Sequence, residues 1–280
     1  GGGTDTTARM MSIRTRRTLN TDIQIVGKRG GSGAKAQNYT LTRPKDGCTI
    51  MALTESHLYT MARGKSNMKI NDLVGVARAM EEPTFVVVNA KNKELSTVKK
   101  MIKRAQKKPI SVAIASIGGT EHIGMYSYSK AANIPFKAVS FGSGAQSLQA
   151  LASGKVEASL LNPSEAAALI ADKKIKAIVL LHDKALADYP KVKTSYSMGH
   201  KVKVVTTRGY AVLKGTPQSV IDEISKGMVK AMKHETFGNY LKGASLDPAT
   251  SPAGTKVWDK QLKENYKKAA AALKGLGLTK

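Results

Sequence analysis

Four times in this chain glycine runs into a hydroxyl residue and then a helical stretch: Gly3-Thr4, Gly31-Ser32, Gly119-Thr120 and Gly142-Ser143. The first turn of a helix leaves backbone N–H groups without intrahelical partners, and the helix dipole adds positive potential there. Glycine lets the main chain approach a ligand, and the hydroxyl adds a donor. Such a turn can hold an anion, and a carboxylate suits amide and hydroxyl donors as well as a phosphate does. None of the four is a nucleotide motif. There is no G-x-x-x-x-G-K-[ST], and Gly1-Gly2-Gly3 does not open a G-x-G-x-x-G pattern. One copy says little, because many helices begin this way; several copies at one end of an α/β chain say more.

Residues for covalent or metal chemistry are sparse. His57, His122, His182, His200 and His234 show neither HExxH nor i, i+4 spacing, so no metal site is expected. The single cysteine, Cys48, excludes an intrachain disulfide framework and reads as a small apolar residue in a strand. Ser164 is not in a G-x-S-x-G elbow. His122, in the first turn of its helix, could donate to a ligand or act as a general base, but no nucleophile accompanies it. Asp5 would repel an anion, so Asp5 or Thr4 is expected to cap its own helix. No cofactor is implied.

The chain has 280 residues, beyond the usual single-domain size, so two lobes are expected. A hydrophobic content of 41% supports a real core, and no apolar run reaches the ~18 residues of a membrane span. The formal net charge is +25, a field that attracts anions. Lys99, Lys100, Lys103, Arg104, Lys107 and Lys108 share one helix face, with further lysines at 173–176 and 267–268. These read as solvated faces. A nucleic-acid surface is not favoured, because basic residues and aromatic platforms are not concentrated together; a membrane-facing or partner-facing role takes what remains.

The elements that must position these turns follow from the apolar pattern. Asp22–Val26 alternates as a strand, and Cys48–Leu53 reads as a buried one after the turn Pro44-Lys45-Asp46-Gly47. Leu73–Arg78 and Thr84–Asn89 read as two further strands. From residue 97 to 181 helix and strand alternate strictly: helix 97–107, strand 111–115, helix 121–132, strand 137–139, helix 146–153, strand 157–161, helix 164–171, strand 175–181. That rhythm predicts a parallel, doubly wound sheet with the glycine turns at its carboxyl end. A strand at 209–213, an amphipathic helix at 217–233 and a final helix within 251–273 complete the reading.

With these residues in hand, the chain resembles the substrate-binding proteins of tripartite tricarboxylate transporters, the TctC or Bug family. The resemblance rests on Gly1-Gly2-Gly3-Thr4-Asp5-Thr6-Thr7-Ala8-Arg9, on Gly30 to Ala34, and on Pro44-Lys45-Asp46-Gly47-Cys48-Thr49. It continues through Ala115-Ser116-Ile117-Gly118-Gly119-Thr120-Glu121-His122, Phe141-Gly142-Ser143-Gly144-Ala145, Ser164-Glu165 and Ile170 to Ile175. It implies an α/β, two-lobed periplasmic binding protein of the Venus-flytrap type, with doubly wound sheets and two crossover strands near Thr84–Asn89 and Gly209–Leu213. Lobe I would be 1–88 plus 212–280 and lobe II 89–211. The implied function is capture of a small organic carboxylate, a di- or tricarboxylate or an aromatic acid, and delivery to membrane transporter subunits, by a monomer without enzymatic activity. The implied ligand-binding residues are Gly2, Gly3, Thr4, Asp5, Thr54, Ser56, Ser116, Gly118, Gly119, Thr120, His122, Phe141, Gly142, Asn162 and Ser164. Glu55, if it faced the ligand, would oppose a distal carboxylate. A periplasmic location is implied, although no signal peptide and no strand before the first glycine turn are visible. The alternatives are a polyanion- or nucleic-acid-binding basic protein and an enzyme on a similar two-lobed frame.

Overall fold

The computed structural model describes residues 2–278 and contains ten α-helices and eight strands among them. The chain forms two compact units. An end unit comprises Thr4–Glu81, Thr207–Lys242 and Leu246–Lys280; a middle unit comprises Glu82–Thr206 with Gly1–Gly3 and Gly243–Ser245. In chain order the elements are α1 (Gly3–Thr18), α2 (Ala34–Leu41), β1 (Met51–Leu53), α3 (Glu55–Ala62), β2 (Leu73–Asn89), α4 (Val98–Ala105), β3 (Ile110–Ile114), α5 (Thr120–Ala132) and β4 (Phe136–Ser140). They continue as α6 (Gly144–Ala152), β5 (Ala158–Leu161), α7 (Pro163–Ala171), β6 (Ile175–Leu181), β7 (Val205–Leu213), α8 (Gln218–Met232), α9 (Glu235–Gly243), β8 (Ala253–Gly254) and α10 (Thr255–Gly275).

In the middle unit, β3 pairs parallel with β4 and with β5, whereas β2 pairs antiparallel with both β5 and β6. The expected all-parallel sheet is thus corrected to a mixed one. A long strand entering from the end unit supplies the antiparallel member. The continuous apolar run of β2 divides by period two. Val86 and Val88 join Met101 of α4 and Met125 and Tyr128 of α5 in one core, while Phe85 and Val87 join Leu151 of α6 and Ala166 of α7 in the other. Both faces are covered, as a strand apolar at every position requires, and the unit is doubly wound.

In the end unit β1 pairs antiparallel with β7, β7 neighbours β2, and β8 adds to β2 at Ala77 and Arg78. Its core gathers Leu53, Leu58, Met61, Leu73, Leu213 and Leu262 around Trp258. The indole Nε1–H donates to the Tyr210 carbonyl at 3.0 Å. Gly75 and Gly209 face the ring, and a Cβ on Gly209 would overlap it.

Several expectations are corrected. Residues 22–26 form no strand; Val26 is 52% exposed and the segment joins no sheet among the described residues, so its alternation has no face to bury. Only Met51–Leu53 of the 48–53 run is a strand. Cys48 is exposed rather than buried, its N–H bonded to Asp46 Oδ1 in the preceding turn. The strands expected at 73–78 and 84–89 are one strand, β2, running through Glu81-Glu82-Pro83. Helix α1 begins at Gly3, so Thr4 and Asp5 lie inside its first turn and are not its cap. Asp5 accepts from Arg9 Nε at 3.1 Å, and this bond is the main reason its carboxyl sits below the usual carboxylate range.

Candidate functional site

The parallel strands β3, β4 and β5 of the middle unit all run into helices, so the N-termini of α5, α6 and α7 open at the same end of the sheet. This is where ligands bind in open α/β sheets. The loops after β3 and β4 are tied side by side. Phe141 N–H donates to the Ile114 carbonyl at 3.0 Å, Gly142 N–H to the Ala115 carbonyl at 2.9 Å, and Ser140 Oγ to the same carbonyl at 3.2 Å. Ser116, Gly118, Gly119, Thr120, His122, Phe141 and Gly142 therefore form one group.

Each helix start has a local cause. At α6, Ser143 is the N-cap and its Oγ accepts the Gln146 N–H at 3.2 Å. At α5 the cap is Gly119, which exposes no side chain, and Thr120 follows it almost fully buried. Gly118 N–H donates to His122 Nδ1 at 3.0 Å. With Nδ1 occupied as an acceptor, the neutral ring carries its proton on Nε2. His122 is accordingly a donor at Nε2, and the general-base reading loses its basic nitrogen.

At α7 the cap is Asn162, in a capping box with Glu165: the Asn162 N–H donates to Glu165 Oε2 at 3.3 Å. Here the anion positions are filled from within. Ser164 N–H and Oγ both donate to the buried Glu82 carboxylate, each at 2.9 Å. Asn162 Nδ2 donates to the Pro83 carbonyl at 3.0 Å and to Thr84 Oγ1 at 3.3 Å. Glu165 Oε1 accepts the Gly3 N–H at 3.1 Å. Gly144 stands so close to Glu165 that any Cβ there would displace the carboxylate, and Gly2 packs on Ser143. The expected Gly3 amide donor is thus engaged by a carboxylate of this chain, as is the Ser164 hydroxyl.

The remaining expected residues belong to the end unit. Thr4 and Asp5 lie in the first turn of α1. Thr54 caps α3 with His57 as its capping-box partner, the Thr54 N–H donating to His57 Nδ1 at 3.1 Å, and Ser56 lies in the same turn. Burial pushes His57 down to about 4, so the ring is neutral at pH 7. Thr60 Oγ1 bonds the Ser32 carbonyl at 2.7 Å, bringing the 31–33 turn against α3. Glu55 turns into the unit: its Oε2 accepts the Thr207 N–H at 2.6 Å and its Oε1 accepts from Asn265 Nδ2 at 3.2 Å. Burial raises its carboxyl to about 7, against the lowering effect of the Thr207 bonds.

Glu82 and Glu165 are the site residues that sequence reasoning did not single out as ligating groups. The Asn162-Pro163-Ser164-Glu165 capping-box spacing was the available signal for Glu165. For Glu82 there was none, since Glu81-Glu82-Pro83 reads as a break between two strands. Among the described residues no cluster of three or more His, Cys, Asp or Glu could hold a metal ion. No described helix is long and apolar enough to cross a membrane.

The fold is that of the periplasmic solute-binding proteins. BugD, a periplasmic binding protein, superposes with a TM-score of 0.91 at 20% identity, covering 100% of this chain and 95% of that one. MatC from Rhodopseudomonas palustris, solved with malate, gives 0.89 at 20% identity over 98% of this chain and 95% of that one. A second R. palustris protein, solved with adipate, gives 0.89 at 18% identity, over 99% and 93%. The model of the tripartite tricarboxylate transporter family receptor, TctC, matches residues 7–278, and the chain belongs to that family. It is therefore a transporter receptor rather than an enzyme, and a periplasmic location accords with the family. No curated protein sequence matches it.

Proposed function

We propose that this protein captures a small organic carboxylate in the periplasm and presents it to the membrane subunits of a tripartite transporter, acting as a monomer. Family membership supports the receptor role. Relatives of the same fold, solved with malate and with adipate, support a dicarboxylate as ligand. The observation that carries the reading is the pair of adjoining loops at 115–120 and 141–144, which bring glycine main chain together at the starts of α5 and α6. Charge-assisted bonds of this kind contribute about 1.5–3 kcal/mol each, so three or four reach micromolar affinity after ordering costs. Thr4 of α1 and Thr54 and Ser56 of α3 are the donors we assign to the end unit. The parting of the two compact units within β2 and β7 supports reading the chain as two lobes.

Thermal unfolding with a panel of C4 to C6 di- and tricarboxylates, malate and adipate among them, tests this. A ligand at about 100 times its Kd stabilises the folded state by about 2.7 kcal/mol, a shift of several degrees. A folded protein that no acid in the panel shifts would overturn the assignment.

Glu165 allows a second test of the same site. Its carboxylate sits on the Gly3 amide, so it repels an incoming anion there. Glu165→Gln keeps an oxygen for the capping box and removes the charge. One like charge about 6 Å away at an effective dielectric of about 40 corresponds to roughly tenfold in affinity. Calorimetric titration of the variant with the acid that shifts the wild type should show this tightening; equal or weaker binding would mean that the ligand does not approach Gly3.

A further inference from the structure

The transport role leaves the most concentrated charge on the molecule unused. Between Lys91 and Lys108 stand seven lysines and one arginine against one acid, Glu94. In the structure these residues gather on one side of the middle unit. Lys99, Lys103 and Lys107 follow one another along α4 and the turn beyond it, all exposed. Lys100 Nζ reaches back to the Lys93 carbonyl and Ser96 Oγ, each at 3.1 Å, and Lys176 on the edge strand β6 reaches the Ser96 carbonyl at 2.9 Å. These two ammonium groups rest on neutral oxygens. The acids nearby are spent on a single side chain: Arg104 meets Glu94 and Glu157. The positive charge of the lysines therefore stays uncompensated and faces solvent.

The composition of the patch says what it fits. The apolar side of α4, with Val98, Met101 and Ala105, is buried in the core. None of the large hydrophobic side chains exposed among the described residues lies in the patch. Protein interfaces are built on aromatic and arginine anchors and are poor in lysine, and single-stranded nucleic acid needs aromatic platforms for its bases. The patch has no aromatic side chain, and its one arginine, Arg104, is engaged by Glu94 and Glu157. Lysines are point charges on flexible stems, suited to many mobile phosphates at once. We infer that the α4 face of the middle unit is a peripheral docking surface for anionic phospholipid headgroups. It holds the receptor at the membrane by charge alone, without insertion.

Co-sedimentation with vesicles of phosphatidylcholine, and of phosphatidylcholine with phosphatidylglycerol, tests the inference. The wild type should bind the phosphatidylglycerol vesicles at low salt and release as salt rises, and should leave the neutral vesicles unbound. Each basic residue near such a surface is worth about fivefold in partitioning. The triple variant Lys99→Glu, Lys103→Glu, Lys107→Glu should thus bind at least about a hundredfold more weakly. A control carrying Lys256→Glu, Lys260→Glu and Lys267→Glu on α10 changes the net charge equally and should retain most of the binding. The same three α4 positions changed to Gln provide a milder variant, and melting curves confirm that each protein is folded. Absence of binding by the wild type, or equal loss in the α4 and α10 variants, would overturn the inference. So would capture of an acidic protein or DNA by the α4 face with no binding to vesicles.

Discussion

Trp258→Ala should unfold the end unit far below the wild-type melting temperature. The indole is 1% exposed and lies between β2 and β7, where Gly75 and Gly209 leave room for it. Removing it deletes the largest side chain of that core and leaves the Tyr210 carbonyl without its 3.0 Å donor. Large aromatic-to-alanine changes in cores cost about 3–5 kcal/mol, a large share of the ~5–15 kcal/mol that holds a domain folded. Calorimetry should show the end unit melting about 10 °C or more below the wild type. The middle unit, which has its own two cores, should hold its transition. A loss below ~1 kcal/mol would mean that the two glycines do not form a slot for this ring.

The second large effect is a pH dependence assigned to one carboxyl. Glu55 accepts from Thr207 and Asn265, lies near Glu81, and is raised from 4.5 to about 7, chiefly by burial. Its folded value lies above its unfolded one, so the folded state holds this proton more tightly. Below about pH 4.5 both states are protonated and Glu55 costs nothing. As pH rises from 4.5 to 7 the unfolded state ionises first and stability falls. Above 7 both are ionised and the full cost remains. A shift of that size corresponds to about 3 kcal/mol, reduced to roughly 1–3 because the residue keeps some solvent contact. Glu55→Gln abolishes the titration, and Asn265 can turn its amide oxygen toward the new NH2. Urea unfolding from pH 4.5 to 8 should show the variant gaining on the wild type by that amount. A constant difference across the range would place the perturbed group elsewhere.

The reach of the sequence was set by how far each feature depends on distant residues. The alternation from 97 to 181 was legible because each strand is a short apolar run closed by turn residues, glycines after β3 and β4 and Asn162-Pro163 after β5, and the structure reproduces it with ends shifted by one or two residues. The strand expected at 22–26 had the right period, but a strand also needs a neighbour, and period says nothing of that. Glu81-Glu82-Pro83 looked like a break in β2. It persists as strand because Glu82 receives Ser164, 82 residues away, a bond no local pattern contains. The short helices α3 and α9 were missed, since eight or nine residues give too few turns for a clear 3.6-residue period. Among the candidate ligand residues, the helix-start glycines and hydroxyls were visible as types at a spacing. The engagement of Gly3 by Glu165, 162 residues away, is a product of tertiary contact.

The division of the chain also dictates an order of events during synthesis. Nearly all of the middle unit is one uninterrupted stretch, Glu82–Thr206, whose strand partners are all present once that stretch has left the ribosome. The end unit must wait: Met51 finds its partner only at Ala211, and the Trp258 side chain that fills its core arrives later still. Its first eighty residues therefore emerge as an unfinished half, with apolar faces that need protection until the last quarter is made. Chaperone dependence and premature proteolysis should concentrate on that early half.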